Sequence, residues 1–145
     1  MSVKAFAMAI ALGLAAGPAL AAPACPATFE AFLRKFTDDR AAQFAATAAR
    51  IDDLHIEDRD PEPVPVTLNV SKNNLVFPII LSRAEQKRLG LEMEIRDATG
   101  PKPEVRLQQG EGDWVVVYKF EKRGCWILVA REIGRFDIYG EFQPP

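Results

Sequence analysis

The stretch that decides the fold is residues 114–131, WVVVYKFEKRGCWILVAR. Residues 114–120 and 125–131 are almost entirely β-branched, aromatic or aliphatic, a composition typical of strands that pack on both faces. The polar residues between them end in Gly124, which suits the left-handed position that closes a hairpin turn. We therefore predict a β-hairpin at the centre of a sheet, covered by a helix on one face and by more chain or a partner on the other.

The sequence leaves the register of this hairpin open. A three-residue loop, 122–124, places the even-numbered residues of the second strand beside the aromatic side chains of the first strand. A four-residue loop, 121–124, places the odd-numbered residues there, because a shift of one residue exchanges the two faces of a strand.

The first 21 residues have the pattern of a cleaved signal peptide. Lys4 supplies a positive charge, residues 5–14 are apolar, and a Gly-Pro pair breaks the run before small residues at positions 19 and 21. The apolar run is too short for a membrane span, which needs about 20 residues. We expect cleavage after Ala21, which leaves residues 22–145 as a single domain in the periplasm or outside the cell, with no membrane span.

Two cysteines, Cys25 and Cys125, occur in this chain. In an exported protein they most simply form one disulfide, and no Cys-x-x-Cys spacing favours a redox-active pair. The bridge would close a loop of about 100 residues, which the chain-entropy model values at roughly 4–5 kcal/mol. We predict a structural disulfide that ties the mature amino terminus to the hairpin.

Charge and motif content argue against several functional classes. The net charge is −2 and no basic patch favours nucleic-acid binding. The only histidine, His55, lies among acidic residues without the spaced ligands of a metal site. There is no phosphate-binding glycine loop and no Gly-x-Ser-x-Gly nucleophile motif. We expect no metal, no cofactor and no nucleic-acid partner.

The order of the remaining elements predicts the fold class. Phe29, Phe32, Leu33 and Phe36 recur at helical spacing, and Asp38 and Asp39 are suited to cap a second helix that runs through Arg50. Extended segments are predicted at 51–57, 66–70, 75–81, 91–96, 105–107 and 136–139, with a short helix near 83–89. Helices followed by mostly antiparallel strands predict an α+β fold, in which a curled, cone-like sheet packs on the N-terminal helices.

Several of these motifs together resemble a group of exported bacterial proteins classed as a domain of unknown function. The matching features are the phenylalanine spacing over 29–36, the Pro-Glu-Pro stretch, Phe77-Pro78 and the hairpin with its Gly-Cys-Trp turn. Some related members are similar to the nuclear transport factor 2-like (NTF2-like) fold. The resemblance implies an α+β cone with a hollow between helices and sheet, and it carries over no catalytic residue.

We predict a non-catalytic binding or interaction domain that recognises a small apolar ligand or a protein partner. Trp114, Tyr118 and Trp126 are the candidate surface, and a homodimer through the sheet is one form of such a partner. An alternative is an isomerase or hydrolase that uses the hollow, with Tyr118 and His55 as its polar candidates. Another is an immunity-type protein that neutralises a toxin in the periplasm.

Overall fold

The computed structural model describes residues 24–57, 59–110, 112, 114–136 and 142–143. Its helices are α1 (Phe29–Asp38), α2 (Arg40–Ala45) and α3 (Arg83–Arg88), and Lys72–Asn74 form one turn of 3-10 helix. The strands are β1 (Thr47–Glu57), β2 (Val64–Ser71), β3 (Leu91–Arg96), β4 (Glu104–Gln109), β5 (Trp114–Arg123), β6 (Cys125–Phe136) and β7 (Phe142–Gln143).

Two predictions fall wholly or largely beyond that part of the chain. The expected signal peptide, residues 1–21, lies outside the described residues, and so does most of the last predicted strand, 136–139. Among the helices that are described, none is both long enough and apolar enough to cross a membrane.

Six strands form one mixed sheet in the order β2-β1-β6-β5-β4-β3, and β7 pairs with the end of β6. The β1–β6 pair is parallel and the other pairs are antiparallel. The β5–β6 hairpin is central, and the α+β class is confirmed. The predicted cone is wrong, because the sheet is neither closed nor strongly curled. Aromatic side chains of α1 and the hairpin fill the space between helices and sheet in place of a large hollow.

The turn of the hairpin is tighter than either predicted loop. Gly124 has φ +77°, the left-handed conformation that favours glycine, and the strands pair as far as Arg123 with Cys125. Phe120, four residues before Gly124, pairs with Leu128. Close to the turn, the even-numbered residues of both strands therefore lie on the same face of the sheet. Next to the turn, the side chains of the two strands therefore share faces as predicted for the three-residue loop.

A β-bulge in the middle of β6 then changes this facing. Lys119 pairs with Ala130 rather than with residue 129, and Tyr118 pairs with Arg131. A bulge inserts one extra residue into one strand and so exchanges the faces of everything beyond it. Past the bulge, odd-numbered residues of β6 lie on the face of Tyr118, which we call the inner face. Neither predicted register holds along the whole hairpin.

Helix α1 forms as predicted and covers part of the inner face. The hydroxyl of Thr28 accepts a hydrogen bond from the Ala31 amide at 3.2 Å, which caps the first turn. The phenylalanines of α1 are almost fully buried, with ring centroids 5.3–5.8 Å from that of Phe120 on β5. Edge-to-face rings at such distances add to the stabilisation from burial. Helix α1 is thereby fixed to the turn end of the hairpin.

The second helix is shorter than predicted. Asp39 caps it by accepting from the amides of Ala41 and Ala42, but it ends at Ala45, and residues 47–50 belong to β1. Thr47 pairs with Leu128 of β6. The alanines of this segment favour a helix, and this nonlocal pairing overrides that preference.

The segment 75–81, predicted as extended, is a loop that packs on the inner face. Buried Gln43 donates from Nε2 to the Ile80 carbonyl at 2.9 Å and accepts at Oε1 from the Ile79 amide at 2.7 Å. These bonds satisfy backbone groups that a strand would pair within a sheet. Helix α3 follows with its predicted capping box, Ser82 and Glu85.

Candidate functional site

The three residues predicted to form a ligand or partner surface lie in different environments. Trp126 and Tyr118 are only 4% and 5% exposed, whereas Trp114 is 39% exposed. Helix α1 covers Trp126, whose ring is 5.7 Å from those of Phe29 and Phe32, and the 75–81 loop covers Tyr118. Tyr118 and Trp126 are therefore core residues, and the prediction that they lie on a surface is corrected. Of these three residues, only Trp114 has a substantially exposed side chain.

Tyr118 is held as a neutral hydrogen-bond donor. Its hydroxyl donates to the Ile79 carbonyl at 3.0 Å. Burial raises the pKa of Tyr118 to about 12 because the phenolate would lose its hydration. The side chain therefore anchors the loop above the sheet and stays protonated at neutral pH.

An ion pair beside Tyr118 was not anticipated from the sequence. Asp53 on β1 accepts two hydrogen bonds from Arg131 on β6, Nε to Oδ1 at 2.9 Å and Nη2 to Oδ2 at 2.6 Å. Both side chains are largely buried, with 14% and 24% exposed. The hydrogen bonds that Arg131 donates to Asp53 are the main reason that the pKa of Arg131 is raised. The donors of Arg131 and the acceptors of Asp53 are directed at each other.

The ion pair belongs to a row of paired residues that crosses the six-stranded sheet. Directly paired residues share a face, and the row contains one residue from each strand. In sheet order from β2 to β3 it comprises Leu68, Asp53, Arg131, Tyr118, Val105 and Ile95. Apolar residues at both ends thus flank one compact polar centre.

His55 does not meet Tyr118. Its Nε2 lies 3.7 Å from Oε1 of Glu57, whose other oxygen accepts from Arg59. Strand β6 separates β1 from β5, so the two backbones are about 10 Å apart. Among the described residues, no three histidine, cysteine, aspartate or glutamate side chains form a group that could hold a metal ion.

A second feature missed by sequence reasoning is an open apolar groove beside Trp114. It has a volume of about 450 Å³ and is formed by the residues on either side of α3, the start of β3, the end of β4 and the start of β5. Leu89 is 45% exposed at the end of α3, and Gly90, with φ +67°, turns the chain directly into β3. We call this surface the Trp114 groove; it is lined by Leu81, Leu89, Leu91, Gln109 and Trp114.

The predicted disulfide is present. Cys25 and Cys125 are bonded, with their Cα atoms 5.4 Å apart. Because Cys125 is the first residue of β6, the bridge fixes the segment before α1 to the turn of the hairpin. A disulfide of this kind is compatible with an exported protein.

Comparison with solved structures relates the fold to a crystal structure of an NTF2-like protein from Bacteroides fragilis. The TM-score is 0.53 at 15% sequence identity, over 75% of this chain and 47% of the other, so the chain spans about half the length of that protein. No protein-family model matches the sequence. No curated protein matches it either. The predicted NTF2-like fold is confirmed at this level, which concerns fold alone.

Proposed function

We propose that this chain is an exported, non-catalytic interaction domain that binds a protein partner through the Trp114 groove. The observation that carries the proposal is that Trp114 and Leu89, which are 39% and 45% exposed, line the same groove. Exposed aromatic and leucine side chains that line a shared concavity mark interaction surfaces. Export rests on the signal-peptide pattern of residues 1–21.

The openness of the groove favours a protein over a small molecule. Clefts for small ligands bury most of the ligand surface. Here Trp114 and Leu89 remain about two-fifths exposed, and an open apolar surface of this type matches the contribution of one side of a protein interface. Lys87 and Arg88, in the last turn of α3, directly precede Leu89 in the chain, so an apolar side chain flanked by acidic residues is the expected occupant.

The enzyme alternative has less support. The two polar residues suggested for it, Tyr118 and His55, lie on strands that are separated by β6. Asp53, the inner-face carboxylate that the sequence did not suggest, has both oxygens bonded to Arg131. A general acid or base must be within hydrogen-bond reach of its substrate, and Tyr118 and Asp53 already form hydrogen bonds within the fold.

The proposal is tested by affinity capture from envelope extract with the mature protein and two single variants. Trp114→Ser removes the centre of the groove. Val76→Ser is the matched control, because Val76 is 83% exposed and does not line the groove. We expect one protein to be retained by the wild type and by Val76→Ser and lost by Trp114→Ser.

Light scattering of the purified protein identifies the partner when it is a second copy. In that case the wild type dimerises with increasing concentration, and Trp114→Ser stays monomeric. Equal capture by all three proteins, together with a monomeric wild type, would show that the groove is not the binding surface.

A further inference from the structure

A separate apolar cavity lies between α1, α2 and the disulfide. Its volume is about 140 Å³. Phe32 and Phe36 contribute from α1, and Ala42, Ala45 and Ala46 contribute from α2 and the residue that ends it. Alanines at these positions leave space that larger side chains would fill. None of these residues lines the Trp114 groove, so the cavity is independent of the proposed protein interface.

The volume of this cavity matches a single small hydrocarbon group. A dry cavity of about 150 Å³ with aliphatic and aromatic walls binds benzene in another protein. Two phenylalanine rings and three alanine methyl groups here provide the same kind of surface. Water has few hydrogen-bond partners on such walls, so an apolar occupant is favoured over solvent.

One charged side chain lines this part of the described structure, at the cavity beside the disulfide. Lys35 is the single charged residue among the described residues that line it, and it is exposed on α1. Within the described part of the chain, no acidic group forms an ion pair with Lys35. An ammonium group next to an apolar cavity complements a molecule with a hydrocarbon body and an anionic end.

We propose that this cavity is a binding site for a small carboxylate with a ring or branched hydrocarbon body. The hydrocarbon lies against Phe32, Phe36 and the alanines, and the carboxylate accepts from Nζ of Lys35. Recognition then combines burial of apolar surface with one charge-assisted hydrogen bond.

The disulfide couples this site to the redox state of the protein. Cys25 and Cys125 both line the cavity, and the segment that carries Cys25 precedes α1. Reduction releases that segment from β6 and removes one wall of the site. Because coupling between two equilibria is reciprocal, a bound carboxylate must shift the equilibrium of the bridge away from the reduced form.

Binding is tested with sodium benzoate as the probe, by calorimetry and by NMR of the intact mature protein. We expect saturable binding with the largest amide shifts at Ala42, Ala45 and Ala46. Lys35→Met should weaken binding about threefold to fivefold, whereas Lys87→Met, the same change on α3, should leave it unaltered. Benzyl alcohol, which lacks the charge, should bind the wild type and Lys35→Met equally.

Two further measurements make the result decisive. Ala42→Leu fills the cavity and should abolish benzoate binding, with circular dichroism used to confirm that the variant folds. Benzoate should also protect the bridge from reduction by dithiothreitol in the wild type, but not in Ala42→Leu. The proposal is wrong if benzoate does not bind, if Lys35→Met binds it as well as the wild type, or if the shifts centre on Trp114.

Discussion

Arg131 on β6 donates from Nε and Nη2 to the two carboxylate oxygens of Asp53 on β1, at 2.9 and 2.6 Å. The two residues are 78 positions apart in the chain and are direct partners in the one parallel strand pair of the described sheet. The pair therefore connects the segment after the helices to the centre of the hairpin. It also places two opposite charges next to buried Tyr118.

We expect the Asp53–Arg131 pair to be strongly coupled. Asp53→Asn leaves a largely buried guanidinium without its counter-charge and should lower the free energy of unfolding by about 2–4 kcal/mol. Adding Arg131→Met to this variant should lower the free energy of unfolding much less than Arg131→Met does in the wild type. Urea unfolding in a double-mutant cycle measures the difference.

The Lys119–Glu132 pair provides the control for this cycle. Nζ of Lys119 lies 2.6 Å from Oε1 of Glu132, but the Lys119 side chain is 37% exposed. Its coupling energy should not exceed about 1 kcal/mol. Equal coupling in the two pairs would contradict a special role for Asp53 and Arg131.

Stability should decrease at high pH because of Tyr118. Its pKa is about 12 in the folded protein against an ordinary value of 10.0, so the unfolded chain loses the phenolic proton first. The contribution of Tyr118 is complete below pH 10 and is lost as the pH rises from 10 to 12, by up to about 2–3 kcal/mol.

Tyr118→Phe is the comparison for that measurement. The variant lacks the hydrogen bond to Ile79, so its free energy of unfolding below pH 10 should be about 1 kcal/mol lower than that of the wild type. Between pH 10 and 12, its urea midpoint should fall less than that of the wild type. Parallel curves for the two proteins would mean that Tyr118 ionisation does not control stability.

Gln43 should be essential for the 75–81 loop. Gln43→Leu preserves the size of a side chain that is 1% exposed but leaves the Ile79 amide and Ile80 carbonyl without their partner. A loss of about 2–4 kcal/mol is expected, with faster hydrogen exchange at those amides. Gln108→Leu, at a more exposed position, should change stability by no more than about 0.5 kcal/mol.

Removal of the disulfide should destabilise the whole fold. The bond joins residues separated by 100 positions. Replacing both cysteines by serine should therefore lower the free energy of unfolding by about 2–5 kcal/mol. Reduction of the wild type should give a similar loss in urea unfolding experiments. A double variant as stable as the oxidised wild type would show that the bridge adds nothing.

Local features of the chain were predictable because their causes lie within a few residues. The apolar stripe of α1, the capping box of α3 and the left-handed turn at Gly124 each depend on short spacings and on the conformations that glycine, serine and threonine favour. The disulfide was predictable for a different reason, since an exported chain with two cysteines has one simple pairing.

The candidate site was less predictable. Three aromatic residues looked equivalent in sequence, but α1 and the 75–81 loop bury Tyr118 and Trp126, and leave Trp114 beside Leu89. The loop itself has the composition of a strand, and hydrogen bonds from two distant residues, Gln43 and Tyr118, hold it apart from the sheet.

The sequence by itself determined the class of fold, the central hairpin, the disulfide and the first and third helices. Tertiary structure alone decided the parallel pairing of β1 with β6, the bulge that turns Arg131 toward Asp53, and which tryptophan stays exposed. The physical reason is the separation along the chain over which each interaction acts. Propensity and capping act between neighbours, whereas burial and strand register depend on contacts between residues that are remote in the chain.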